Sequence, residues 1–195
     1  MNYTINPLTE HATGAEILGL DLKAPLDAEL RKALNAEFAK YHVLVFRGQQ
    51  LAAPDFAHAG EIFGEIMSQH HKDIRATGHP EVFEIRNEKI APGKYRIAGE
   101  TFHTDHSNHP VRIESIVGMP DDDAMALVNE LMAHATQQKY EYRHKWHYGD
   151  MVIWDNRSVM HQANGDYDMN ETRHLYRLMV VGEPVLAAAL AGVAA

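Results

Sequence analysis

The chain carries 14 histidines, 12 aspartates and no cysteine, so any metal site must be built from imidazole and carboxylate. Disulfides, thiolate zinc sites and cysteine nucleophiles are excluded by the same count. His103-Thr104-Asp105 offers one ligand of each kind two residues apart. On an extended segment, residues i and i+2 point to one side, so the pair could grip a single ion. The spacing alone says little. This composition supplies such a triplet by chance, and His71-Lys72-Asp73 is a second, read as a surface pair. A polar stretch, Asp155-Asn156-Arg157-Ser158, follows the apolar run that ends at Trp154 and leads to His161. Taken alone, His161 reads as a packed or solvated histidine. Arg173 and Arg177 stand four apart on a segment carrying Leu175, so on a strand both face one way, roughly 13 Å apart. Facing inward, two guanidinium groups need anions; facing outward, they are simply solvated.

These residues need elements to hold them. Ile17 to Leu22 alternates and meets Pro25, which predicts a strand and turn. Asp27 is placed to cap a helix running to about Lys40, with Leu30, Leu34 and Phe38 as its buried stripe. His42 to Gly48 is β-branched and apolar and reads as an interior strand. A second helix is expected over Phe56–Ile66, after Pro54. Val82–Arg86 alternates as a half-exposed strand. Asn87 to Glu100, with Pro92, Gly93 and Gly99, reads as loop. Asp121–Thr136 follows Pro120, opens with three aspartates at the positive end of the helix dipole, and offers Met125, Val128, Leu131 and Met132 as an apolar face. Strands are expected at Glu141–His147, Met151–Trp154 and Leu175–Val181, with Gly149-Asp150 as the turn between the first two. Strands with a few outer helices predict an α+β fold on a β-sandwich or barrel, one domain over residues 1–195.

At 195 residues the chain can bury a core without staples. Its net charge of −9 argues against nucleic acid as a partner. The start of the chain has no basic n-region or apolar h-region and no stretch is long enough to span a bilayer, so no membrane partner is expected and the cytoplasm is the default location. The apolar, Ala-rich Val185–Ala195 and exposed strand edges predict a homo-oligomer.

His103-Thr104-Asp105, then Trp154-Asp155-Asn156-Arg157 with His161, then Arg173 and Arg177, in that order, resemble the taurine and dichlorophenoxyacetate dioxygenase family. Val43-Leu44-Val45-Phe46-Arg47-Gly48-Gln49 is similar to the family's N-terminal strand. The resemblance implies a double-stranded β-helix (jelly-roll) core with flanking helices. It implies Fe(II) held by His103, Asp105 and His161, with 2-oxoglutarate as co-substrate and O2 as oxidant. Three N/O ligands on one face leave room for both, which suits non-haem Fe(II). Arg173 matches the position that binds the far carboxylate of 2-oxoglutarate, a task for a forked guanidinium. Arg177 matches the position that meets the carboxylate or sulfonate of an acidic substrate. The implied activity is hydroxylation of a small anionic molecule, with release of succinate and CO2. Gly99 stands where taurine-specific members place an amide, which argues against taurine.

The sequence departs from the family in its middle. Asn108-His109-Pro110-Val111-Arg112 runs straight into Ile113 to Met119, where family members carry a longer section with a Gly-Gly-Asp-Thr segment that this sequence lacks. Six or seven strands are expected where a complete core wants about eight. The alternative is therefore a shortened, inactive homologue acting as a binding or assembly module. A third reading, a zinc hydrolase on the same three ligands, is weaker because zinc prefers a four-coordinate site.

Overall fold

The structure is a computed structural model. It describes residues 3–11, 13–67, 74–86, 88–91, 94–96, 99, 101–105, 116, 118–168, 171 and 173–181, with the backbone alone over 88–96. His71-Lys72-Asp73 and the tail Val185–Ala195 lie outside the described residues, as does most of the join around Asn108–Met119. The elements in chain order are β1 (Thr4–Pro7), β2 (Ala15–Leu18), α1 (Ala28–Tyr41), β3 (Val43–Phe46), α2 (Ala53–Gly60), β4 (Glu65–Ile66), β5 (Arg75–Ala76), β6 (His79–Arg86), β7 (Glu88–Ala91), β8 (Lys94–Arg96), α3 (Asp121–Ala135), a 3-10 turn (Gln138–Tyr140), β9 (Met151–Trp154), β10 (His174–Arg177) and β11 (Val180–Val181). Among the described residues, mixed sheets with three α-helices make this an α+β fold. Among the described residues no helix is long and apolar enough to cross a membrane.

Two compact units emerge. The first comprises residues 1–20, 36–50 and 87–171. Its sheet runs β1-β2-β3-β9, with β2 and β3 parallel and the other pairs antiparallel. β3 is Val-Leu-Val-Phe and buried throughout, as an apolar β-branched run flanked by strands on both sides must be. Antiparallel register sets Phe46 opposite Met151 and Val43 opposite Trp154. The second unit comprises residues 21–35, 51–86 and 172–195. It holds the antiparallel sheet β10-β6-β5 and the pair β11-β4. Its core is Ala53, Ala57, Ala76 and Val82, with Phe56, Ile66 and Tyr176 packed against it.

The helix expected from Asp27 forms as read. Asp27 Oδ1 accepts the Leu30 N–H at 2.7 Å, and Leu34 is fully buried. Several expectations need correction, the strand number among them: eleven strands are described where six or seven were expected. The second helix ends at Gly60 rather than Ile66: the Phe63 N–H bonds back three residues to Gly60, and the chain then extends to pair Glu65–Ile66 with β11. Within the stretch read as loop, Glu88–Ala91 and Lys94–Arg96 pair as antiparallel strands. Glu141–His147 is not a strand. The 3-10 turn precedes it, and β9 pairs with β3 instead. On α3, Ala124 is buried and Leu127 and Val128 half-buried, while Met125, Leu131 and Met132 are 43%, 58% and 38% exposed. The inward stripe is therefore turned away from the largest apolar residues.

Candidate metal centre

Two chain segments meet to make the site. His103 and His161 form an isolated antiparallel bridge: each N–H donates to the other's carbonyl, at 2.9 and 2.8 Å. Four residues before His103, the Gly99 carbonyl accepts the Ala163 N–H at 2.7 Å. Directly opposed residues in such a bridge put their side chains on one face. The two imidazole centroids accordingly lie 4.3 Å apart at an angle of 48°. Trp154, at the end of β9, packs its ring 5.0 Å from that of His161.

Asp105 follows two residues after His103 and turns to the same side. Its Oδ2 lies 3.8 Å from His161 Nε2. One ligand atom from each of His103, Asp105 and His161 falls within 4.8 Å of the others. The His161 and Asp105 side chains are 26% and 21% exposed, open enough for an ion and its further ligands. His103 Nδ1 lies 2.7 Å from the Thr101 carbonyl, which can only accept. Nδ1 therefore carries the proton and Nε2 has a free lone pair, the outer hydrogen bond expected behind a metal-binding imidazole. Two imidazoles and one carboxylate on a common face are a donor set suited to a divalent transition metal.

The polar stretch after β9 is braced locally. Asp155 accepts from Arg157 Nε at 2.9 Å, from the Arg157 backbone at 3.0 Å and from Ser158 Oγ at 3.0 Å. Burial alone would raise the Asp155 carboxyl, but these donors outweigh it and hold it below the usual carboxylate range. Arg173 immediately precedes β10 and Arg177 closes it; both are half-buried and belong to the second unit. Tyr176 faces the α2 core, so alternation puts Arg177 on the opposite face of the strand, where it also reaches Met179 Sδ at 3.6 Å.

Sequence reasoning missed a polar cluster at the other end of β9. The Asp150 side chain is wholly buried, and its Oδ2 accepts from Arg47 at 2.5 Å and from the His147 N–H at 2.8 Å. Arg47 also holds Glu16 at 2.7 Å, and His144 Nε2 lies 3.2 Å from Asp150. The Tyr142 hydroxyl reaches His144 Nδ1 at 2.8 Å. The pairing of β3 with β9 is the signal that finds it: if Phe46 faces Met151, the next pair outward is Arg47 and Asp150.

Residues 4–114 and 109–179 match the family described as taurine catabolism dioxygenase TauD, TfdA family. The chain belongs to this family. The two matched stretches overlap at residues 109–114. Among relatives, the alpha-ketoglutarate-dependent 2,4-dichlorophenoxyacetate dioxygenase of Cupriavidus pinatubonensis is 37% identical over 81 residues, 42% of this chain and 26% of the relative. The (S)-phenoxypropionate/alpha-ketoglutarate-dioxygenase of Delftia acidovorans is 25% identical over 175 residues, 89% of this chain and 53% of the relative. The chain thus matches only 26% and 53% of the length of these two TauD/TfdA relatives. A taurine dioxygenase from Burkholderia xenovorans has the same fold, with a TM-score of 0.73 at 24% identity over 94% of this chain and 90% of that one.

Proposed function

We propose that the chain, residues 1–195 acting as one jelly-roll dioxygenase domain, is an Fe(II)- and 2-oxoglutarate-dependent enzyme. Its substrate is a small anion, hydroxylated with release of succinate and CO2. The convergence of His103, Asp105 and His161 carries this reading. His103 and His161 would hold the iron through imidazole nitrogen and Asp105 through a carboxylate oxygen. Iron so bound supplies the coupling of 2-oxoglutarate decarboxylation to C–H hydroxylation. The chain's own work is to hold and orient. Arg173 would fork onto the far carboxylate of 2-oxoglutarate and Arg177 would meet the anionic end of the substrate. The names of the phenoxy-acid relatives support an anionic substrate class.

The test measures succinate formation with Fe(II), 2-oxoglutarate, O2 and a panel of phenoxy acids, sulfate esters and sulfonates. The wild type turns over at least one class. His161→Ala abolishes turnover, Arg173→Ala raises the KM for 2-oxoglutarate tenfold or more, and Arg177→Ala raises the KM for substrate. Equal iron binding by wild type and His161→Ala would falsify the assignment of the ligands. The short match to its relatives favours a second reading, a binding or assembly module that keeps the metal face. That reading expects tight iron binding with no succinate from any member of the panel.

A further inference from the structure

Asn156 stands 51 residues from Asp105 in sequence, yet its side-chain amide takes both backbone polar groups of that residue. The Asp105 N–H donates to Asn156 Oδ1 at 2.9 Å, and Asn156 Nδ2 donates to the Asp105 carbonyl at 2.8 Å. The backbone partners fix the orientation of the amide, because an N–H can only donate and a carbonyl can only accept. The amide thus acts as one more rung of a ladder. Gly99 with Ala163, His103 with His161 and Asp105 with Asn156 successively fasten the first ligand segment to the second. The His103–His161 bridge fixes the backbone of two ligands directly, and the third lies one step beyond it.

We propose that Asn156 is a positioning residue that clamps the backbone of Asp105, so that its carboxylate meets the metal with only side-chain torsions left to set. The proposal rests on the reading of His103, Asp105 and His161 as the metal ligands. The physical reason is order. Without the clamp, metal binding must itself immobilise the Asp105 backbone, and outer-shell partners of this kind commonly account for a 10–100-fold difference in metal affinity. Only an amide fits. Alanine offers neither bond. Aspartate is the same size but turns a lone pair, not a donor, toward the Asp105 carbonyl. Glutamine is one methylene too long.

Aspartate also separates the clamp from simple electrostatics. A negative charge beside the centre should tighten the hold on a cation, whereas a broken clamp weakens it. The test is Co(II) titration of the metal-free full chain, followed by calorimetry and by the visible d–d absorption of Co(II), with circular dichroism as the check on folding. Asn156→Ala and Asn156→Asp should each bind Co(II) about 10–100-fold more weakly than wild type. The d–d intensity should change as the carboxylate leaves the coordination sphere. Ser158→Ala, whose hydroxyl donates to Asp155 rather than to Asp105, should match wild type. Wild-type affinity and spectrum in Asn156→Ala, or tighter binding by Asn156→Asp, overturns the clamp while leaving the metal centre standing, provided His161→Ala loses binding. A wild type that binds no Co(II) overturns both.

Discussion

A methyl group at residue 99 would crowd a candidate metal ligand. An added Cβ would lie 2.6 Å from Cε1 and 3.1 Å from Nε2 of His103, and the backbone there has φ +80°. The position therefore favours glycine on two counts, the left-handed backbone and the close approach of the His103 ring. Gly99→Ala should lose about 1–3 kcal/mol of stability in urea titration and should bind Co(II) more weakly because His103 is pushed aside. Wild-type stability together with wild-type affinity would show that the ring does not pack there. His103, Asp105 and His161 were legible because their order and company resemble a known set. Thr101 and Asn156 were not, because a carbonyl behind an imidazole or an amide bridging a backbone is set by angles that spacing along the chain does not encode.

β9 is only four residues long, yet it has the buried Asp150 before it and Trp154 at its end, with Asn156 two residues further on. The pairing of Asp150 with Arg47 anchors the strand against β3 at the end opposite the candidate metal centre. Gly149, at φ +83°, makes the turn that delivers Asp150, and a Cβ there would lie 2.9 Å from the Gln50 backbone nitrogen. Asp150→Ala should cost about 2–3 kcal/mol, since it strips Arg47 of a buried anionic acceptor and leaves the His147 N–H without its carboxylate. Asp150→Asn, the same shape without the charge, should recover part of this. Urea midpoints decide it; a loss under about 0.5 kcal/mol in Asp150→Ala, the range of an ordinary surface change, would mean the pair is dispensable. The same strand marks how far element patterns could be read. β3, α1 and β9 were legible because their apolar runs or caps are strong, and β3 and β9 pair in one sheet. Glu141–His147 alternates like a strand, but Tyr142, His144 and His147 spend their polar groups on one another and on Asp150, and Lys145 gives its carbonyl to Arg47. The pairing of β7 with β8 was hidden because the Pro92-Gly93 dipeptide between them in sequence marks loops and tight turns alike.

At the scale of the whole chain, acidification sets two effects against each other. The net charge is −9 with the histidines neutral, so protonating them relieves self-repulsion and favours the compact state. His144 works the other way. Burial, and then the nearby Arg47 and His147, push its pKa below the ordinary 6.5, and Asp150 only partly opposes them. A histidine depressed in the folded state binds its proton first in the unfolded chain, so its contribution is intact above about pH 6.5 and is lost as the pH falls below that value. Asp155, also depressed, gives a second loss lower down, as the pH falls through the carboxylate range. The first window can be isolated because charge relief is nearly the same in a single variant. In urea titrations between pH 8 and pH 5, the stability gap between wild type and His144→Gln should be widest at pH 8 and should narrow below about pH 6.5. A gap that stays constant across that range would show that His144 titrates alike in the folded and unfolded chains.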